Sequence, residues 1–466
     1  MISIDIRSIN AFRMLLGIIC IYNFVLYKIH FFEYFDVKNG PFCYENIKQI
    51  KSGLGLLTSV QDNFVLIIII VLSLIVFFLL SIGFYPSLMS LLSLIAYTAF
   101  TERYFPYFDG PDNIIICFLF IGIFLFYFAY PTKSKEITWK DNPFIIVVLF
   151  QIFVIYFFAG INKTSIEWWN GSAISLVLKN VTLNKPLAYT LIKKDIICKI
   201  LTYATLGFEI IGSLIFIFKL QSKKVRFYFG MLILLFHLGV DFFLDVGFYK
   251  YTGILIASLL LPDYFWDKIQ LKNISFRLYT KSMSRLMFLD KLKKEISFIL
   301  LSLILVFSIF NSVSKQLQNY DVKANNFLNF YEKIKPSNLS PFKQSWSMFA
   351  PGVGKTNGFI TFEKTNKKTK KIEYISAINP LLTKNNYKSY PMQHPCKFFM
   401  EFCTLDMLKK NSDKNILNFK LQCMFEYEIL KDIKMNSKNY SYQLIFNIKD
   451  KHNKTKRTKV LEFDNP

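Results

Sequence analysis

The sequence has few residues that could bind a metal ion or form a disulfide framework. Its 466 residues include seven cysteines and four histidines, and no two cysteines are spaced Cys-x-x-Cys. At least two cysteines lie inside apolar runs, and no Ser-His-Asp elbow is visible. We therefore expect no metal site and no disulfide framework, while one bridge in the C-terminal part stays open.

A complete phosphate-binding loop is also missing. Pro351-Gly-Val-Gly-Lys-Thr356 ends like such a loop, but Phe349 occupies the position of the first glycine of the motif. A strand pattern follows at 357–364, in place of the helix whose N-terminus would hold the phosphates. This pattern argues against nucleotide binding here.

Acidic residues are scarce relative to basic ones. The chain has 32 Asp and Glu against 56 Lys and Arg, a net charge of +24 at pH 7. Nearly all the basic residues are lysines spread through loops and the C-terminal part, without a nucleic-acid-binding motif. Because the positive charge is dispersed and no such motif accompanies it, we expect no nucleic-acid partner.

Apolar surface, in contrast, is in excess. Hydrophobic residues make up 53% of the chain, with 51 Phe and 26 Tyr, which is more than soluble proteins carry. The runs predict about nine membrane spans, of which the third and eighth are short. They lie at 10–29, 64–83, 87–100, 113–130, 144–161, 196–218, 227–247, 252–261 and 296–310. The first run is too long for a cleavable signal peptide and should remain as a span.

The fold class expected is a polytopic α-helical membrane protein followed by a soluble, strand-rich mixed α/β domain. We place the membrane domain at 1–311 and the soluble domain at 312–466. Alternating apolar residues predict strands at 358–364, 371–378, 441–448 and 459–463. The basic stretch 364–371 is expected to be a hairpin loop, and 413–430 an amphipathic helix.

Lysine-rich loops predict the orientation. With nine crossings the loops 131–142, 219–226 and 262–295 fall on one side, and positive loops stay in the cytoplasm. The N-terminus is then cytoplasmic. The acidic loop 101–112, the loop after Lys163 and the C-terminal domain face the periplasm, the cell exterior or an organelle lumen.

Several ionisable residues lie inside the predicted spans, where each costs about 2.5–3.5 kcal/mol on insertion scales. Arg13 lies one turn into the first span and is expected to reach the interface by snorkelling. Glu209 lies in mid-span and must pair, take up a proton or line a wet cavity. His237, Asp241 and Asp245 recur every four residues, which places them on one helical face.

Lys163 lies where a long apolar run ends, and two interpretations of it remain open. It is either an interfacial anchor or a base, since desolvation disfavours the ammonium form. In the predicted topology it shares the outward half with acids that could line one cavity with it. These are Asp109, Asp112, Glu167, Asp241 and Asp245. Alternatives to an enzyme are a transporter, disfavoured by the lack of an internal repeat, and a membrane-anchored scaffold.

Three segments resemble a known family. Ala159-Gly-Ile-Asn-Lys163, followed by Trp168 or Trp169 and Gly171, resembles a motif of the HTTM (horizontally transferred transmembrane) proteins and the related vitamin K-dependent gamma-glutamyl carboxylase. The segment from His237 to Gly247-Phe248 and the run Trp346-Ser-Met-Phe-Ala-Pro351 resemble two others. The last of these is similar to the start of the outward domain in bacterial HTTM proteins.

The resemblance implies a carboxylase-like lyase in which Lys163 is the base that deprotonates reduced vitamin K or another quinol. We assign His237 and Asp241 as its catalytic partners, and a peptide or protein substrate on the outer side. The predicted substrate-binding residues are Glu167, Trp168, Asp109, Asp112, Asp245 and Glu209. The chain reads Asp109-Gly-Pro-Asp-Asn113 where the carboxylase has a histidine, so the base step is implied more strongly than carboxylation.

Overall fold

The computed structural model describes residues 1–28, 57, 59–103, 110–130, 134–179, 185–244, 246, 248–269, 287–319, 341–342, 344, 346, 350, 357–374, 440–449 and 455–463. Within these residues the chain is mostly helical. Each apolar run of the sequence coincides with a helix, because a helix satisfies its own backbone hydrogen bonds in a bilayer.

The described helices, in chain order, are as follows. They are α1 (Ile6–Lys28), α2 (Asn63–Ile82), α3 (Pro86–Arg103), α4 (Gly110–Ala129), α5 (Phe144–Ile161), α6 (Ile166–Trp169), α7 (Ala173–Lys179), α8 (Ala188–Ile192), α9 (Asp195–Leu206), α10 (Ser213–Phe218), α11 (Lys223–Phe243), α12 (Tyr249–Leu259), α13 (Asp263–Lys268) and α14 (Met287–Asn319). A π-helix, Gly207–Gly212, joins α9 to α10.

Among the described residues, seven helical segments are long and apolar enough to cross a bilayer. They are α1, α2, α4, α5, α11, α14 and the continuous α9–π-helix–α10 segment. The multi-pass membrane protein predicted from the sequence is therefore confirmed. The two remaining predicted spans are α3 and α12, which do not meet the requirements for a span.

Both of these helices nevertheless run beside a spanning neighbour. In α3, Ser87 donates to the carbonyl of Ile123 and Tyr97 donates to Asp112, so α3 follows α4 along most of its length. At the start of α12, the carbonyl of Tyr249 contacts His237, and after its end Leu260 lies against Gly230 of α11. All nine predicted segments therefore belong to one helix bundle.

Three loops meet where α1 begins, and we call this the N-terminal end of the bundle. Lys223 forms ion pairs with Glu136 and Asp263, and Arg226 donates to the carbonyl of Ser3. Burial alone would raise the pKa of Asp263. The hydrogen bond from Lys223 and the positive charge of that lysine, together with other hydrogen bonds, outweigh burial, so the pKa of Asp263 lies below its ordinary value. The described residues of these loops therefore lie together, as the predicted topology requires, while their side of the membrane stays a prediction.

Arg13 corrects one expectation. Its side chain is fully buried and does not reach the interface by snorkelling. The guanidinium donates to the carbonyls of Leu80 and Ser81 at the end of α2 and to the hydroxyl of Tyr130. Carbonyls at a helix C-terminus carry partial negative charge and lack helical partners, so they stabilise a buried cation.

Two small sheets complete the described structure. Strand β1 (Ser3–Asp5) pairs antiparallel with β2 (Glu136–Thr138) at the N-terminal end. In the C-terminal part, β3 (Asn357–Asn366), β4 (Ile372–Tyr374), β5 (Tyr440–Lys449) and β6 (Thr455–Phe463) form an antiparallel sheet of order β4-β3-β5-β6. Residues 367–371 of the basic stretch form the turn between β3 and β4, and residues 364–366 end β3. The predicted helix 413–430 lies outside the described residues.

A separate strand-rich soluble domain stays a prediction, as does the boundary at 311/312. Helix α14 continues across that boundary to Asn319. Beyond it, Gln344 and Trp346 are buried among the membrane helices.

Candidate functional site

Lys163 lies just beyond the end of α5, and its amine points back into the helix bundle. The side chain is 2% exposed, so Lys163 is not a solvent-exposed interfacial anchor. Its Nζ atom lies 2.7 Å and 2.9 Å from the two carboxylate oxygens of Glu209 and 3.1 Å from the carbonyl oxygen of Ala159. The sequence left pairing, protonation and a wet cavity open for Glu209, and in the structure Glu209 pairs with Lys163.

Glu209 is held by an irregular part of its helix. It lies in the π-helix, where one extra residue per turn widens the backbone and leaves carbonyls without their usual partners. The hydroxyl of Ser213 donates to the carbonyl of Glu209 and also contacts that of Ile210. Single-turn π-helices occur often at functional sites, and this one carries an acid buried in the span.

Gly160 explains how α5 approaches the π-helix. A Cβ atom at this position would lie 2.6 Å from Cγ1 of Ile210 and 2.9 Å from Cβ of Glu209. No side chain larger than hydrogen fits there without moving the two helices apart. The glycine of the Ala-Gly-x-x-Lys motif therefore serves the contact between Lys163 and Glu209.

Of the two candidate tryptophans, Trp168 belongs to the site. Its side chain is 1% exposed, and Lys163 Nζ lies 5.0 Å from the centre of its ring, a cation–π contact. Trp169 is 59% exposed. Gly171 has a positive φ of 83°, and a Cβ there would collide with Lys199, so this motif glycine is required by its backbone.

A second buried pair lies two turns earlier on α5. The hydroxyl of Tyr156 lies 2.9 Å from Nε2 of His237, and Nδ1 of His237 lies 2.6 Å from the carbonyl oxygen of Tyr249. Because a carbonyl only accepts, Nδ1 carries the ring proton, and Nε2 accepts from Tyr156. Gly253 lies against the His237 ring, which stacks on Tyr249.

Tyr156 was missed at the sequence level. It lies inside the apolar run, where a tyrosine looks like an ordinary core residue. The spacing could have indicated its role. Tyr156 precedes Lys163 by seven residues, and residues seven apart lie on the same face of a helix, two turns from each other.

Asp241 shares a helix face with His237 but has different partners. It forms ion pairs with Lys185 at 2.9 Å and Lys250 at 3.2 Å, and about a quarter of its side chain is exposed. Asp245, the third acid of the predicted stripe, lies outside the described residues.

The predicted substrate-binding residues fall into separate groups. Asp112 accepts from Asn23 and Tyr97, on α1 and α3, while Lys163 contacts the π-helix and Trp168. Glu167 is buried beside Trp168 in α6. Asp109 lies outside the described residues, so the predicted single cavity stays a prediction. Within the described part of the chain no three His, Cys, Asp or Glu side chains gather as a metal site.

Comparison with known proteins adds one positive finding. Residues 129–266 match the family model of the HTTM domain. No curated protein and no solved structure matches the chain. The matched residues include Lys163, Glu209, His237 and Asp241, whereas Asp112 precedes them. Residues 129–266 of this multi-pass membrane protein therefore match the HTTM domain, and the resemblance predicted from the sequence motifs is confirmed over these residues.

Proposed function

We propose that this protein is an integral membrane enzyme that removes a proton from a lipid-soluble quinol or a similar acidic hydroxyl compound, with Lys163 as the base. One observation carries the proposal. An amine and a carboxylate, both almost fully buried, lie 2.7 Å apart at the end of a membrane helix. Buried ionisable groups in membrane helices are expensive and mark functional positions by default.

Glu209 gives Lys163 a way to act as a base. Moving one proton from the ammonium group to the carboxylate turns the ion pair into a neutral amine and a neutral acid. Exclusion of water lowers the free energy of this neutral form relative to the ion pair. The amine of Lys163 then accepts the proton of the substrate hydroxyl. This transfer leaves an ammonium group beside a substrate oxyanion, with Glu209 still protonated.

The surrounding side chains suit an aromatic, lipid-soluble substrate. Trp168 presents a flat ring next to the amine of Lys163, and Phe208, the neighbour of Glu209 in sequence, packs on Tyr156. In this proposal His237 orients the Tyr156 hydroxyl. Asp241 orients the end of α11 through its two lysines. Substrate binding by Glu167, Asp109, Asp112 and Asp245 remains a prediction.

Loss of the base is the direct test. We expect Lys163→Met, in lipid nanodiscs, to reduce quinol deprotonation by about 10²–10⁴-fold, the usual contribution of a general base. The ultraviolet spectrum of the bound quinolate measures the reaction, and epoxide formation in air measures its oxidation. Lys223→Met is the matched control, because Lys223 also pairs with acids but is partly exposed at the N-terminal end of the bundle.

Two outcomes would contradict the proposal. Unchanged deprotonation in Lys163→Met removes Lys163 as the base. Failure of every quinol tested, including reduced vitamin K, to bind or form quinolate removes the substrate class. Labelled bicarbonate with a glutamate-rich peptide tests carboxylation separately.

A second candidate function is the movement of protons across the membrane. The two buried pairs lie two turns apart on α5, an arrangement that would also suit a proton path. Proteoliposomes containing a pH-sensitive dye distinguish the two functions. Proton flux abolished by Glu209→Gln, without any quinol requirement, would favour transport. A third role, as a membrane-anchored scaffold, predicts neither flux nor chemistry.

We propose that the N-terminal end of the bundle faces the cytoplasm and that the C-terminal part lies outside as a soluble domain. The lysine-rich loops that meet at the N-terminal end support this orientation. Lys163 then lies in the outward half.

Cysteine labelling tests the orientation. Lys370, in the turn between β3 and β4, and Lys219, at the end of α10, are both exposed. In intact cells a membrane-impermeant maleimide is expected to label Lys370→Cys, and to label Lys219→Cys only after permeabilisation. The reverse pattern would place the C-terminal part in the cytoplasm.

A further inference from the structure

Described residues that follow α14 lie inside the helix bundle. Asn311 and Ser312 of α14 lie beside Gln344 and Asn162, so α14 has reached the Lys163 end of the bundle there. The ring of Phe342 nevertheless packs on Phe120 at 5.5 Å and on Phe307 at 6.3 Å. Phe120 lies ten residues into α4, about 15 Å along the helix and thus near its middle. We call the described residues of this part of the chain, 341, 342, 344 and 346, the re-entrant segment.

Polar contacts seat the re-entrant segment among three helices. Gln344 is 2% exposed, and its amide exchanges hydrogen bonds of 2.9 Å and 3.2 Å with Gln151, in the middle of α5. The carbonyl of Pro341 accepts from Cys117 of α4, and that of Gln344 accepts from Asn311. Irregular backbone at membrane depth is tolerated only where such partners satisfy it.

The same segment contacts the residue next to Lys163. The amide of Asn162 donates to the carbonyl of Trp346 at 2.9 Å, and the indole nitrogen of Trp346 donates to Gln344 at 2.8 Å. Ser312 of α14 donates to the other side of the Asn162 amide. Asn162 therefore links the end of α5 to the re-entrant segment and to the last span.

We propose that the re-entrant segment is a seated strap that couples the C-terminal part of the chain to the Lys163–Glu209 pair, with Asn162 as the positioning residue. Seating holds the end of α5 in the conformation that directs the amine of Lys163 at Glu209. Release of the segment frees that end. A partner or substrate that moves the C-terminal part thereby changes the position of Lys163. This inference does not depend on the proposed function.

Hydrogen–deuterium exchange of the full-length protein in nanodiscs tests the coupling. Gln344→Ala leaves the buried amide of Gln151 without its partner, so the segment is expected to unseat. We expect peptides covering 341–346 and 158–164 to exchange about tenfold faster. Because coupling is reciprocal, Glu209→Gln is expected to raise exchange in 341–346 as well.

The matched control is Asn142→Ala. Asn142 is a buried asparagine at the other end of α5 and donates to the carbonyl of Leu125 on α4. It should leave exchange at 341–346 and 158–164 unchanged. Combining Gln344→Ala with Asn162→Ala tests the link itself, because exchange at 158–164 should no longer respond to Gln344→Ala. Gln344→Asn replaces Gln344→Ala if the latter does not fold.

Two results would overturn the proposal. Fast exchange of 341–346 in the unaltered protein means that the segment is not seated. Faster exchange at 341–346 with unchanged exchange at 158–164 means that the segment is seated but not coupled to Lys163. Neither result bears on whether a quinol is the substrate, so this test and that of the proposed function fail independently.

Discussion

Glu209→Met is expected to destabilise the folded protein by about 3–5 kcal/mol, because it leaves the charged amine of Lys163 buried without its partner. Lys163→Met is expected to cost a similar amount for the converse reason. The double variant should be close to the unaltered protein in stability, since two methionines fill nearly the same volume and require no charge compensation. Unfolding by SDS in mixed micelles measures the three free energies.

The contrast between single and double variants identifies the partner. If Glu209→Met unfolds as easily as the double variant, the two side chains do not form a pair. Lys185→Met provides the reference for a partly exposed ion pair and should cost at most about 1 kcal/mol. A large loss in that control would point to general fragility.

The experiment also separates stability from function. A buried pair kept only for stability would be replaceable by two apolar residues without consequence. We expect the double variant to fold and to lack quinol deprotonation, because the proposed base and its proton acceptor are both absent. A stable and fully active double variant would contradict the proposed role of Lys163.

The positions of the membrane helices were predictable because each depends on a local property. An apolar run long enough to cross a bilayer becomes a helix whatever its neighbours are. The short runs at α3 and α12 also form helices, although neither helix meets the requirements for a span. The loops that meet at the N-terminal end followed from the order of the spans.

The partners of the buried polar groups were not predictable in this way. Lys163 and Glu209 are 46 residues apart, and no periodicity links them. Arg13 was expected to reach the interface by snorkelling. The carbonyls that it binds belong to another helix, and the sequence around Arg13 does not indicate them. The π-helix continues the apolar segment from α9 to α10, so the hydropathy pattern did not indicate it.

The residues after α14 show a further limit of sequence patterns. Trp346 begins a motif that resembles the start of the outward domain, and polarity increases after α14, which suggested that the chain leaves the membrane. The structure instead buries Gln344 and Trp346 against α5. A single short segment can enter a bundle because its few polar groups find hydrogen-bond partners there. Hydropathy averaged over a window as long as a span does not detect such a segment.

Gly160→Ala is expected to destabilise the protein by about 1–3 kcal/mol, the usual cost of overpacking a close contact. The added methyl group would lie 2.6 Å from Cγ1 of Ile210 and 3.2 Å from the backbone carbonyl carbon of Glu209. The backbone atom cannot rotate away, so α5 and the π-helix must separate. This separation lengthens the distance between Lys163 and Glu209, and quinol deprotonation should fall with stability.

Gly239→Ala is the matched control for this variant. Gly239 lies inside α11, and a Cβ there would meet no atom within 4 Å. Alanine favours the helix over glycine by about 1 kcal/mol, so Gly239→Ala should stabilise the protein slightly. SDS unfolding in the same micelles compares the two substitutions.

A second substitution tests the contact itself. Ile210→Ala removes the atom nearest to the new methyl group and should partly restore the stability that Gly160→Ala loses. A Gly160→Ala protein as stable as Gly239→Ala would mean that α5 does not approach the π-helix this closely.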